Sequence, residues 1–282
     1  MMPMGHGPRA PRGVNEDLAR APELVAASGG QLGHPMHLLA TTTSTNDLAK
    51  AAAREGAPHG STWVAEAQTA GRGRRGHAWI CAPGEGLLFS VLVRVSCAPS
   101  RIAPAGLAVG LAVRDAVAAV APGAAVGIKW PNDVLVAERK VAGVLVEAVT
   151  TGSRVDAVII GVGMNVHTRV FPDAIADLAT SVALAASSQP DRAALLADTL
   201  ARIDRDLHVV AGRGLGLLLG RLGAVDVLRG RRVRRDAGEG GDARDPSSQG
   251  IGEGIDEDGR LMVRRDDGVL TRWNAGEVHL LR

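Results

Sequence analysis

The chain has 282 residues, with 32 Lys and Arg against 30 Asp and Glu, a net charge of +2. This balance excludes chain-wide attraction to nucleic acid or to a membrane surface, so any basic site must be local. Cys81 and Cys97 show neither metal-ligand nor disulfide spacing, and charged, Gly or Pro positions break every apolar run before the ~18 residues of a membrane span, so a reduced, soluble, cytoplasmic protein is expected.

In chain order, residues 1–36 are rich in Gly, Pro, Arg and Ala and read as a flexible arm, within which Glu16 to Ala27 form at most one short helix. From His37 the strand HLLATT leads into a helix, LAKAAAREG. Ser44 or Thr45 is positioned to cap its free N–H groups, and Gly56 to end it. Strand STWVAEA, a Gly/Arg loop at 71–76 and the apolar run LLFSVLVRV follow. Pro104 to Val120 repeats apolar residues at helical spacing. VGIKW, DVLVA, KVAGVLVEAV and VDAVIIGVGMNV then read as four successive strands, and Asp191 to Gly212 as an amphipathic helix. That order predicts an α+β fold with a mixed, hairpin-rich sheet rather than a doubly wound one. Aromatics are only 2% of the chain, so the core must come from Val, Leu and Ile. After residue 223 come four short strand segments separated by Gly- and Asp-rich turns, the pattern of a small β-barrel, with 236–248 as an exposed, mobile loop.

Three segments carry chemistry. Gln68-Thr69-Ala70-Gly71-Arg72-Gly73-Arg74-Arg75-Gly76-His77 follows a strand; its glycines let backbone N–H groups approach an anion and its arginines neutralise one. It lacks P-loop spacing, and an exposed basic turn or a nucleic-acid contact is the competing reading. Lys129-Trp130-Pro131-Asn132-Asp133 sits between two strands as a turn, with Lys140 beside the next strand as either a solvated turn residue, the reading it favours taken singly, or a movable point charge. Gly161-Val162-Gly163-Met164-Asn165 interrupts a strong strand with glycines, which marks either a bulge or the close approach of a ligand. The histidines form no metal spacing, and no Ser, His and Asp set stands out.

Taken in order, Ser44-Thr45-Asn46, Ala65-Glu66 with Gln68, GRGRRG at 71–76, KWPND at 129–133, RKVAGVLVE at 139–147 and GVGMN at 161–165 resemble the biotin protein ligases. The resemblance implies a catalytic domain like that of class II aminoacyl-tRNA synthetases, a mixed sheet with helices packed on one face, over residues 37–222. It also implies a small Src-homology-like barrel over 223–282. The implied activity is formation of biotinyl-5′-AMP from biotin and ATP with Mg²⁺, then transfer of biotin to a lysine of the biotin carboxyl carrier domain of a carboxylase. By the same resemblance Arg72 and Arg74, with the N–H of Gly73, hold carboxylate and phosphate, and Lys140 adds its charge at the reacting oxygens. Ser44, Thr45, Asn46 and Gln68 meet the biotin ring, and Gly143 lines the tunnel for its acyl chain. His77, Trp79, Asn132, Asp133 and Asn165 stand on the ATP side, with no metal ligand assigned. His77 departs from the family, which commonly has arginine there. A monofunctional ligase is implied, a monomer or weak homodimer that engages neither DNA nor membrane. Lipoate or octanoate ligation and a biotin-responsive DNA-binding repressor are the alternatives, with a nucleic-acid module built on the Gly/Arg loop more distant because stacking aromatics are scarce.

Overall fold

The computed structural model describes residues 16–99, 102–236 and 248–281. In chain order these form α1 (Glu16–Ala19), α2 (Ala21–Ser28), β1 (Met36–Thr42), α3 (Thr45–Arg54), β2 (Thr62–Gln68), β3 (Gly86–Cys97) and α4 (Ile102–Val120). They continue with β4 (Val126–Lys129), β5 (Asp133–Val136), β6 (Arg139–Thr151), β7 (Arg154–Asn165), α5 (Val182–Ala185), α6 (Arg192–Arg213) and α7 (Leu219–Val225). The C-terminal strands are β8 (Arg232–Arg235), β9 (Gln249–Ile255), β10 (Leu261–Arg264), β11 (Leu270–Trp273) and β12 (Val278–Leu280).

Seven strands make one mixed sheet in the order β1-β2-β3-β7-β6-β5-β4, parallel at β1–β2 and antiparallel elsewhere. Because strand side chains alternate, the apolar runs of β3 and β7 feed both faces. On one face Phe89, Val91, Val158, Ile160 and Val162 pack against α4 and α6 in the main core. Leu92, Ala157 and Ile159 point the other way and meet Ala49 and Ala53 of α3. The helices expected on one face are therefore there, and α3 adds a partial cover on the second. Its short apolar stripe reaches Leu92 and Ile159 but not the rest of that face, where Gly143, Gly161 and Gly163 stand.

The arm expected to be flexible is not so from Glu16 onward. Leu18, Ala21, Val25 and Leu32 are buried in the main core, and α1 and α2 pack on α6. The folded unit thus begins ahead of His37. An ion-pair cluster fixes this placement: Arg192, 1% exposed, donates to Asp17 at 2.8 and 2.9 Å and to Glu66 at 2.8 and 3.0 Å. No local pattern in a Gly/Pro-rich segment discloses such a partner 175 residues away.

The C-terminal strands form a five-stranded antiparallel sheet, β11-β10-β9-β8-β12, consistent with the expected Src-homology-like barrel. Residues 237–247, most of the loop expected to be mobile, lie outside the described residues, as do 1–15. Trp130 joins the two sheets: its side chain is buried in the second core and its indole N–H donates to the Gly259 carbonyl at 2.9 Å.

Candidate active site

The part of the sheet that α3 leaves uncovered is the floor of a cleft of about 540 Å³, walled by the 71–79 loop, the 129–133 turn and residues 276–280 of the C-terminal sheet. Ser44, Thr45, Asn46, Gln68, Arg72, Gly73, Arg74, His77, Trp79, Asn132, Asp133, Lys140 and Gly143 all line it. Asn165 does not: it is buried and its amide donates to the Thr180 carbonyl at 3.1 Å, a strut behind the floor.

Floor glycines are required by close approach. Gly143 and Gly163 are registered partners on β6 and β7, and the Trp79 indole lies against both. A Cβ on Gly163 would come within 2.5 Å of that ring, and one on Gly161 within 2.2 Å of Asn46 Oδ1. The choice between bulge and close approach, open in the sequence, is settled for approach, with side chains of this chain as the neighbours. The Trp79 indole N–H is buried without a partner.

At the N-terminus of α3 the structure departs from the expected cap. Ser44 occupies the cap position but makes no capping bond; instead the Thr45 N–H donates to Gln68 Oε1 at 2.7 Å. Gln68 thus satisfies the helix end from outside, while Ser44, which makes no capping bond, lines the cleft. Ser90 on β3 sits between Thr45 and Asn46, and Asn46 donates to Glu147 of β6 at 2.6 Å. Neither Ser90 nor Glu147 was picked out from sequence, because each acts across strands with no local spacing to mark it.

The Gly/Arg loop is a small hairpin. Trp79 N–H donates to the Gly71 carbonyl at 2.9 Å, and Gly73 N–H to the His77 carbonyl at 2.7 Å. Here the expectation that the Gly73 N–H is available for an anion is corrected: the hairpin uses it. Arg75 has φ 54°, a left-handed conformation costly for a residue with a side chain and typical of strained functional loops. Arg72 is ion-paired with Asp47, which also lies 3.7 Å from Lys50. Lys140 Nζ meets Asp133 Oδ1 at 2.7 Å and lies 5.5 Å from the centre of the Trp79 ring. Arg74 differs. Among the described residues no carboxylate lies within ion-pair distance of it, and burial holds its guanidinium below the ordinary value, with Asp133 opposing that shift and Arg75 adding to it. A half-buried cation with no ion-pair partner among the described residues retains hydrogen-bonding capacity towards the cleft.

The remaining predicted residues are held structurally as well as facing the cleft. Asn132 donates its amide to the Val144 carbonyl at 2.9 Å, fixing the turn. His77 is exposed, with Nε2 3.4 Å from Glu277 of the C-terminal sheet. Glu277, Asp236 and His279 form a close group of metal-type ligands, the one such group of three among the described residues.

A mixed sheet with a glycine floor under a cationic hairpin belongs here to a protein ligase of the biotin/lipoate type. Residues 38–165 match the biotin/lipoate A/B protein ligase family, and 241–281 the biotin protein ligase C-terminal domain. A biotin–[acetyl-CoA-carboxylase] ligase of Mycobacterium tuberculosis is 35% identical over 92% of this chain and 93% of its own length. A bifunctional ligase/repressor of Bacillus subtilis is 31% identical over 83% of this chain and 70% of its own length. The biotin protein ligase of Aquifex aeolicus, solved in complex with biotin and ATP, superposes with a TM-score of 0.73 at 30% identity, covering 88% of this chain and 98% of that one. The chain belongs to the biotin protein ligase family.

Proposed function

We propose that this protein activates biotin with ATP to biotinyl-5′-AMP and pyrophosphate, then passes the biotinyl group to one lysine of a biotin carboxyl carrier domain. The observation that carries this reading is Arg74, a half-buried cation with no ion-pair partner among the described residues, lining the same glycine-floored cleft as Lys140. Attack of a carboxylate on the α-phosphate brings two anions together, and fixed cations lower that barrier most in a site shielded from water. Arg72 and Lys140 reach substrate oxygens by exchanging their present partners, Asp47 and Asp133. Ser44, Thr45 and Gln68 face the ring end, where a ureido group needs donors and acceptors together. His77 and Trp79 stand on the nucleotide side.

Mg²⁺ enters as part of the Mg-ATP substrate. Asp133, a carboxylate in the cleft, is engaged by Lys140, and the Asp236–Glu277–His279 group brings an imidazole that suits Mg²⁺ poorly. No protein ligand to the ion is therefore assigned. The match of 241–281 to a biotin ligase C-terminal domain disfavours lipoate or octanoate ligation. In this chain α1 and α2 pack their apolar sides on α6 as part of the catalytic core. No helix among the described residues is long and apolar enough to cross a membrane. The proposed reaction, ligation to a carboxylase's carrier domain, is one for the cytoplasm, carried out by a monomer or weak homodimer. Pyrophosphate exchange tests the reading: biotin supports it and lipoate does not, and exchange with lipoate alone would overturn it.

A further inference from the structure

The C-terminal sheet carries a second set of converging groups at the rim of the cleft. Strand side chains alternate, so Glu277 and His279, two residues apart, share one face, and the pairing of β12 with β8 brings Asp236 beside them. Their ligand atoms all lie within 4.8 Å of one another, and His279 Nε2 is 3.0 Å from Asp236 Oδ1. His77 reaches the same place from the Gly/Arg hairpin, its Nε2 3.4 Å from Glu277 Oε2. Ligand atoms around a tetrahedral ion, bound at about 2.0–2.2 Å, stand about 3.3 Å apart, so small side-chain rotations suffice to close these groups on one ion.

The surrounding charges favour a cation. Two carboxylates are held together, and among the described residues neither has a Lys or Arg at ion-pair distance, while Arg235 lies over the Trp273 ring, 5.1 Å from its centre. Elsewhere on this sheet carboxylates take arginine: Asp256 has Arg260, Glu253 has Arg264 and Asp266 has Arg232. Here the partners are imidazoles, which have a lone pair to give a metal, as a guanidinium has not. Imidazoles mixed with carboxylates suit zinc and its transition-metal neighbours rather than Mg²⁺ or Ca²⁺, which take oxygen.

We propose that Asp236, Glu277 and His279 bind a divalent transition-metal ion of the Zn²⁺ class, that His77 completes its coordination, and that the ion thereby clips the Gly/Arg hairpin to the C-terminal sheet. His77, Glu277 and His279 all line the cleft, so the ion holds two of its walls together and slows the passage of substrate and adenylate. The site is separate from the Mg-ATP that the proposed reaction consumes.

The test is a titration of the metal-free full chain with Zn²⁺ against a chromogenic chelator, for the parent, Asp236→Ala, His279→Ala and His77→Ala, with thermal melts to confirm folding. The parent takes one ion per chain, and millimolar Mg²⁺ does not displace it. Asp236→Ala and His279→Ala, which leave the backbone pairing of β8 and β12 untouched, each weaken binding by about tenfold or more, and so does His77→Ala. In biotin-dependent pyrophosphate exchange, Zn²⁺ at a concentration that fills the parent site cuts the parent's rate severalfold and leaves Asp236→Ala at its metal-free rate. Binding that the Asp236 and His279 variants retain at full strength, or that Mg²⁺ displaces, would overturn the site. Unchanged affinity in His77→Ala, or equal inhibition of the parent and Asp236→Ala, would overturn the clip. Binding is read without biotin or ATP, so each of these results leaves the ligase reading standing. If one of the Asp236 and His279 variants does not fold, the other decides by the same titration.

Discussion

Two sets of arginines and carboxylates meet this sheet, and they have opposite designs. Around Arg192 every group is matched: burial opposes its charge, but its hydrogen bonds to Asp17 and Glu66 outweigh that cost and raise its pKa above the ordinary value. A further bond to the Gly86 carbonyl at 3.0 Å completes the guanidinium. Around Arg74 the matching is left incomplete, and burial lowers the same kind of pKa. The closed cluster ties α1 to β2 and α6; the open one leaves a cation facing the cleft, where the proposed reaction needs one. Completeness of pairing, rather than residue type, separates structure from function here.

The largest effect expected from breaking this contrast is on the closed side. Arg192→Met takes the cation from the carboxylates that it pairs, the buried Glu66 and the half-buried Asp17, and costs about 3 to 5 kcal/mol of folding stability, read by urea unfolding. On the open side Arg74→Gly leaves the urea midpoint almost unmoved yet removes about 2 to 4 kcal/mol of transition-state stabilisation and lets the adenylate escape, read by kcat/KM and by release of biotinyl-AMP. If the two arginines exchanged these signatures, the distinction would be wrong.

Smaller effects sharpen it. The Arg192 hydrogen bond holds the Asp17 carboxyl below its usual range, burial opposing. A depressed carboxyl stabilises the fold above its unfolded pKa of about 3.9, and that contribution is lost as pH falls through the lower folded value. Asp17→Asn should therefore flatten the pH dependence of stability between about pH 5 and 2, measured by melts across that range. Beside the same cluster, burial first and Glu85 second push the Cys81 thiol up to about 11. Its alkylation by iodoacetamide at pH 8 should run about a hundredfold slower than that of a free thiol, and slower still in Arg192→Met, because the Arg192 charge lowers the Cys81 pKa.

The strand runs, the α4 and α6 stripes and the cleft motifs were legible in the sequence because each is a local pattern: alternation, helical spacing or glycine at a turn. What was not legible is what reaches across the fold. Asp17 finds Arg192, Ser90 slots between Thr45 and Asn46, and Trp130 reaches Gly259, each through register and packing rather than spacing. Leu18 and Val25 gave too short an apolar pattern to reveal a docked helix pair, yet both are buried. Gly73 shows the converse: its anion-binding N–H was inferred from composition, whereas the hairpin's own geometry engages it. Asn165 lies in a motif but not in the cleft, because the β7 register turns it toward Thr180.

The central claim is that the open cationic cleft makes and uses biotinyl-5′-AMP. Incubation of the protein with biotin, Mg-ATP and a biotin carboxyl carrier domain, read by mass spectrometry, should show a single biotinyl group on one carrier lysine, dependent on ATP. A carrier left unmodified while the protein remains folded and binds biotin would contradict it.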